Sequence, residues 1–270
     1  MMKVAIIGAG TMGCSLAALF LSNDFDVVVK TRRKDANDKI REKVLLYASK
    51  IKSPLSATLL VSNEFDAIKN CEFIVEAVEE NLAAKKKILV EVEAANSNAI
   101  ICTNTSSLSV TELSTALANP TKFAGMHFFN PAHKMQLVEI IKTPNTSTQT
   151  VEAIVNVATS LGKTPVVVAD SPGFIVNRLL VPFLLDAIKL YESGVADFKD
   201  IDSAVKLGLN HPMGPFELLD LIGLDVVVAI AQEFQNRSNS ERFAIPKLVL
   251  EMIKKGKLGR KTKVGFYNYS

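Results

Sequence analysis

Apolar residues in the first part of the chain gather in short β-rich runs, and segments of helical spacing separate most of them. The runs predict strands at "KVAIIG" (3–8), "DVVVKT" (26–31), "TLLVS" (58–62), "EFIVEA" (72–77), "AIICT" (99–103), "FAGMHFF" (123–129), "LVEII" (137–141) and "PVVVA" (165–169). Strands separated by helices need crossovers, and crossovers build a mostly parallel, doubly wound sheet. The last three strands lie close together in the chain, which predicts antiparallel additions at one edge.

From Asp170 the spacing turns helical throughout. "DSPGFIVNRLLVPFLLDAIKLYESG" has Asp170 or Ser171 as a cap, Pro172 near the first helical position and Gly194 as its stop. "DFKDIDSAVKLG", "GPFELLDLIGLDVVVAIAQEF" and "IPKLVLEMIKKG" follow, and none reads as a strand. The pattern thus predicts an α/β class: a Rossmann-like, doubly wound, mostly parallel sheet with antiparallel edge strands, then a smaller all-α domain. The expected domains are 1–172, binding a dinucleotide, and 173–270, helical and serving substrate and dimerisation.

Composition changes this picture little. Hydrophobic residues make up 48% of the 270, but the richest stretch, 218–231, contains Asp220 and Asp225 and reads as a buried helix, not a membrane span. Residues 3–10 already form a strand and turn, so no signal peptide is expected and the default is a cytoplasmic enzyme or binding protein. Cys14, Cys71 and Cys102 fall in no paired or metal spacing and read as free thiols. The net charge of +3 is local: Arg32-Arg33-Lys34, Lys85-Lys86-Lys87, and a tail with Lys254, Lys255, Lys257, Arg260, Lys261 and Lys263. Such lysines read as solvated faces, or a few of them as partners for the phosphates of a small ligand. No aromatics are interleaved among them, so no nucleic-acid partner is expected.

The string "GAGTMG" (Gly8, Gly10, Gly13) follows a strand and opens a helix at Thr11 and Met12. A second strand ends roughly twenty residues on, the context a dinucleotide fingerprint requires. Gly8 permits the turn, Gly10 lets the backbone approach a pyrophosphate, and Gly13 lets the helix pack on the strand. An acid usually closes the second strand and bonds the ribose 2′-hydroxyl of NAD. Here Thr31 stands there, followed by Arg32 and Arg33. Losing the acid removes repulsion toward a 2′-phosphate, and charge-assisted hydrogen bonds contribute roughly 1.5–3 kcal/mol each. NADP is therefore expected, with NAD as the alternative if both arginines point to solvent.

Of three histidines, His211 reads as a packing or surface residue and His133 as solvated. His127 ends a strand, and Glu139 stands in the next one between apolar neighbours. A Glu inside a Val/Ile strand is costly to bury unpaired, and His127 is the natural partner if the strands adjoin. Such a pair fixes the imidazole tautomer and suits general acid/base work, or it is a structural pair. No third soft ligand accompanies His127 and His133, so no metal site is expected.

In order and spacing, "VAIIGAGTMG", "VEAVEEN", "TNTSSLSVTEL", "GMHFFNPAHKMQLVEI", "DSPGFIVNRLL", "HPMGPFELLDLIGLD" and "GRKTKVGFYNY" resemble the short-chain L-3-hydroxyacyl-CoA dehydrogenases, including 3-hydroxybutyryl-CoA dehydrogenases. The resemblance covers essentially the whole chain. It implies His127 as acid/base on the 3-oxygen, Glu139 as its orienting carboxylate, and Ser106 and Asn177 as hydrogen-bond partners of the substrate. It also implies Glu80, Lys85, Ser106 and Asn130 along the nicotinamide-ribose half of the cofactor, with Lys261 reaching it from the tail. The implied partners are an acyl-CoA and a second copy of the chain, and NADP points to reduction of acetoacetyl-CoA. The segment after the second strand is shorter than the family's helical hairpin by about three turns. That leaves no residue assigned to CoA beyond Lys50 or Lys52 meeting its phosphates. The rival readings are a dehydrogenase of a small free hydroxy acid such as L-gulonate, and a dinucleotide-binding protein without catalysis.

Overall fold

The computed structural model describes residues 1–270, the side chain of Lys34 excepted. The chain divides into two compact units, Met1–Phe174 and Ile175–Ser270.

The first unit runs β1 (Lys3–Ile7), α1 (Thr11–Ser22), β2 (Asp26–Lys30), α2 (Asn37–Ser49), β3 (Leu59–Ser62), β4 (Phe73–Glu76), α3 (Leu82–Ala95) and β5 (Ile100–Thr103). It continues with α4 (Val110–Ser114), β6 (Phe123–Phe128), β7 (Leu137–Lys142), α5 (Thr148–Ser160) and β8 (Thr164–Ala169). The sheet order is β3-β2-β1-β4-β5-β6-β7-β8. Its inner strands are apolar at nearly every position because both their faces are covered, whereas the edge strands β3 and β8 leave Leu60 and Val167 exposed. Val4, Ile6, Val27 and Val29 pack with Leu16 and Phe20 of α1. Ala5, Ile7, Val28 and Ile74 pack on the other side with Leu89 and Val92 of α3. The strand order reverses beside β1, so a crevice opens where the carboxyl ends of β1 and β4 meet.

The edge differs from expectation in one strand. β6 pairs parallel to β5, β7 antiparallel to β6, and β8 parallel to β7. The cause is what lies between strands: α4 carries the chain back before β6, and α5 does the same before β8. Of the connections along this edge, only β6–β7 lacks a helix, so only there does the chain reverse as a hairpin.

The second unit contains α6 (Val176–Glu192), α7 (Phe198–Leu209), α8 (Pro215–Ile222), α9 (Leu224–Ser238) and α10 (Lys247–Lys254). α6 starts later than the cap signal at Asp170 or Ser171 predicts. Gly173 and Phe174 take left-handed φ of 79° and 52°, which turns the chain before the helix begins. Asp170 instead accepts hydrogen bonds from Ser109 Oγ (2.7 Å) and Thr111 N–H (2.8 Å), at the start of α4. The stretch read as one helix around Gly223 is two, because that glycine sits at φ 103°.

Two buried aspartates organise this unit. Asp202 accepts from the amides of Phe216 (2.8 Å) and Glu217 (3.1 Å) and from the Tyr267 hydroxyl (2.8 Å). Asp220 accepts from the amides of Phe266 (3.0 Å) and Tyr267 (2.9 Å) and from the Tyr269 hydroxyl (3.0 Å). Both are 1% exposed, and burial pushes the Asp202 carboxyl above its ordinary pKa. Together they fasten the C-terminal tail. All three cysteines are free and buried, as the sequence implies, and burial raises the Cys71 thiol to about 11. Among the described residues no helix is long and apolar enough to cross a membrane.

Candidate active site

β1 ends in the glycine loop, and α1 starts directly after it. Gly8 has φ 110°, and a Cβ there would stand 2.6 Å from the carbonyl oxygen of Ala77. A Cβ on Gly13 would collide with the carbonyl oxygen of Gly8, so the helix can rest on the loop only without one. Around Gly10 the space is open. The first turn of α1 has no side-chain cap and no acidic residue, which leaves its amides and dipole for an anion. A cavity of about 580 Å³ lies against this loop, lined by residues 7–12, 30–33 and 77–79 together with Ala84, Lys87, Ile88 and Glu91. Open glycine, unclaimed amides and cavity together fit a dinucleotide.

Thr31, Arg32 and Arg33 line the same cavity. Thr31 is buried, and its hydroxyl accepts from the Arg33 amide at 3.2 Å, which turns the chain at the end of β2. Arg32 is exposed and stands 3.9 Å from Glu79, a loose pairing. Sequence reasoning did not single out Lys30, Lys87, Glu79 or Glu91 as cavity residues. Lys30 is buried with its ammonium 4.2 Å from the centre of the Phe65 ring, and burial lowers its pKa.

His127 and Glu139 face one another in the β6–β7 register. Nδ1 lies 2.8 Å from Glu139 Oε2. A carboxylate only accepts, so Nδ1 carries the proton and Nε2 remains the atom that exchanges one. Both side chains are buried, at 3% and 0% exposed. The rings of Phe129 and Phe174, centred 4.6 and 5.5 Å from the imidazole, wall the pair from water.

The loop after β5 carries Ser106, and one carboxylate arranges it. Glu80 Oε1 accepts from Thr105 Oγ1 (2.6 Å), the amides of Ser106 (2.8 Å) and Ser107 (3.1 Å), and Ser107 Oγ (3.1 Å). Burial alone would raise the Glu80 pKa, but Lys85 and these donors more than offset it and hold the group below its ordinary value. Lys85 is not solvated like its neighbours in sequence: it is 0% exposed. Its ammonium meets Glu76 Oε1 (2.8 Å) and Oε2 (3.0 Å) and the Asn104 carbonyl (3.2 Å), with Glu80 Oε2 at 3.6 Å. Sequence reasoning missed Glu76, although an acid at the end of a buried strand is the signal that singled out Glu139.

Asn130 is exposed in the loop after β6, and His133 is exposed beside it. Asn177 and Lys261 belong to the second unit. Asn177 is half-buried in the first turn of α6, and Lys261 pairs with Asp225 at the start of α9. His211 is exposed, its ring 5.8 Å from that of Phe183. Of the lysines left for CoA phosphates, Lys52 pairs with Asp24 at 2.6 Å and Lys50 is exposed.

Residues 3–171 match the family described as "3-hydroxyacyl-CoA dehydrogenase, NAD binding domain", and residues 173–269 match the C-terminal domain of that enzyme. The chain is 39% identical to a 3-hydroxybutyryl-CoA dehydrogenase of Clostridioides difficile, covering all of both. It is 38% identical to the human mitochondrial hydroxyacyl-coenzyme A dehydrogenase, covering 98% of this chain and 90% of that one. Among solved structures, the (S)-3-hydroxybutyryl-CoA dehydrogenase PaaH1 of Ralstonia eutropha superposes with a TM-score of 0.93 at 36% identity, covering 99% of each chain.

Proposed function

The chain belongs to the 3-hydroxyacyl-CoA dehydrogenase family, and we propose that it interconverts short-chain 3-hydroxyacyl-CoA and 3-ketoacyl-CoA, with 3-hydroxybutyryl-CoA and acetoacetyl-CoA as the pair, using NADP(H). The buried His127–Glu139 pair, 2.8 Å apart, carries the reading. The glycine loop and the first turn of α1 would hold a nicotinamide cofactor, which would supply the hydride acceptor or donor for substrate C3. His127 handles the accompanying proton: neutral, its Nε2 takes it from the 3-hydroxyl, and protonated, it returns it to the 3-keto oxygen. Glu139 holds the ring in that tautomer and stabilises its charge when it forms. Ser106, and Asn177 on α6, would hydrogen-bond the 3-oxygen and hold the substrate for transfer, while Glu80, Asn130 and Lys261 would serve the nicotinamide-ribose half; Lys85, fully buried and held by Glu76, would act on that half only through Glu80.

NADP is favoured over NAD because Thr31 carries no charge to repel a 2′-phosphate, while Arg32 and Arg33 stand in the cavity wall with Lys87. Glu79 and Glu91 in the same wall oppose this attraction, so the preference is a balance and not an absolute. The preference favours the reductive direction. The second unit leaves Leu179, Val195, Leu207 and Leu209 between 60% and 87% exposed, which supports a homodimer formed through it.

A second reading has one observation behind it. Between β2 and β3 lie a single 3-10 turn (Lys34–Ala36) and the one α-helix α2, leaving less surface for CoA, and this favours a small free hydroxy acid. Comparing kcat/KM for acetoacetyl-CoA with that for free acetoacetate separates the two. Preference for the thioester supports the proposal, and preference for the free acid replaces it with the second reading.

A further inference from the structure

We propose that Glu76 is a positioning residue for hydride transfer, acting through Lys85 on the loop that carries Ser106 and on the strand that carries His127. The inference rests on the dehydrogenase reading for its catalytic meaning. Its geometry lies wholly within the first unit.

Glu76 closes β4, in register with Ile7 of β1 and Thr103 of β5, so it stands under the crevice at the reversal of the sheet. It is 0% exposed, and both its oxygens are filled. Oε1 accepts from the Val78 amide (2.6 Å) and from Lys85, and Oε2 accepts from Thr103 Oγ1 (2.6 Å) and from Lys85. Removing a carboxylate and an ammonium from water is costly, and a pair so enclosed survives only with this full set of partners.

Two links run outward. The first goes through Lys85 to Glu80, whose single oxygen gathers the four donors of residues 105–107. The second goes through Asn104, which is tied at three atoms. Its amide donates to the Glu76 carbonyl (2.8 Å), its carbonyl accepts from Lys85 (3.2 Å), and its Oδ1 accepts from the Phe128 amide (3.1 Å). Phe128 adjoins His127 in β6. One buried ion pair thus sets the backbone at Ser106 and beside His127, and misplacing reacting groups by about 1 Å costs on the order of 10²-fold in rate. Glu76 and Lys85 lie nine positions apart in the sequence, and neither needs to touch the substrate.

The test compares Glu76→Gln, Lys85→Met and the double variant Glu76→Gln/Lys85→Met with wild type. Glu76→Gln leaves the Lys85 charge without its main partner. It is expected to lower kcat by at least about tenfold while cofactor Kd stays within about twofold, and to speed hydrogen exchange at the Ser106, Ser107 and Phe128 amides. The double variant removes both charges and is expected to recover the thermal midpoint but neither kcat nor the amide protection. Recovery of kcat together with the midpoint would make the pair merely structural and overturn the proposal. So would Glu76→Gln with wild-type kcat and wild-type protection. Should the single variants fail to fold, the double variant decides by the same comparison. If wild type turns over no ketoacyl-CoA, the functional reading fails, and the exchange rates at Ser106 and Phe128 still decide whether Glu76 holds this loop.

Discussion

At the scale of the residue, the site is governed by carboxylates in places where an unpaired carboxylate is too costly to bury. Glu139 is the readable case: an acid between Val138 and Ile140 has to have a partner, and His127 is a facing strand away. Replacing His127 with Ala should lower kcat/KM by about 10²–10⁴-fold, and Glu139→Gln should lower it by less while leaving cofactor affinity unchanged. Initial rates and cofactor titration check both, and wild-type rates in His127→Ala would remove the proton-transfer role. Glu80 titrates below its ordinary value, so the folded protein binds that proton less tightly than the unfolded chain. Its contribution is whole above about pH 4.5 and fades as pH falls through the lowered value. The stability advantage of wild type over Glu80→Gln should therefore shrink on acidification, as read from denaturant midpoints, and a gap independent of pH would contradict the network. Glu76 obeys the logic that exposed Glu139, but its cation was hidden in a run of lysines. Lys86 and Lys87 lend Lys85 the look of a solvated face, and only the packing of α3 on β4 distinguishes the buried one.

At the scale of the element, the end of β2 and the start of α1 decide which cofactor is held. Thr31→Asp should shift the NADPH to NADH ratio of kcat/KM toward NADH by about tenfold or more, the equivalent of one charge-assisted hydrogen bond. An unchanged ratio would mean that the arginines do not read the 2′ position. Gly13→Ala should weaken binding of either cofactor by about tenfold or more, because the new methyl would collide with the Gly8 carbonyl; a dissociation constant equal to wild type would contradict that packing. The glycine loop, the strands and the helical character of the second part were legible because periodicity and turn residues are local signals. Strand direction at the edge was less so, since it depends on what the connecting segment folds into. The short α4 suffices to make β6 parallel. The break at Gly223 escaped notice because apolar spacing continues across it, and the cap signal at Asp170 belonged to α4, far back in the sequence.

At the scale of the whole molecule, the two units each have their own core and their own buried carboxylates. The tail of the second unit is fastened by Asp202 and Asp220, so deleting residues 265–270 should lower stability by at least about 2 kcal/mol. Each buried group left without its hydrogen bond costs about 1–3 kcal/mol. Denaturant unfolding measures this, and a stability equal to that of the full chain would show the tail to be dispensable. This fastening could not be read from the sequence, because tail and aspartates lie 46 to 65 positions apart. The most direct test is the initial rate of acetoacetyl-CoA reduction by the purified protein with NADPH and with NADH. Turnover is expected with both cofactors, faster with NADPH, and it is expected to be lost in His127→Ala. No turnover with either cofactor would contradict the central claim.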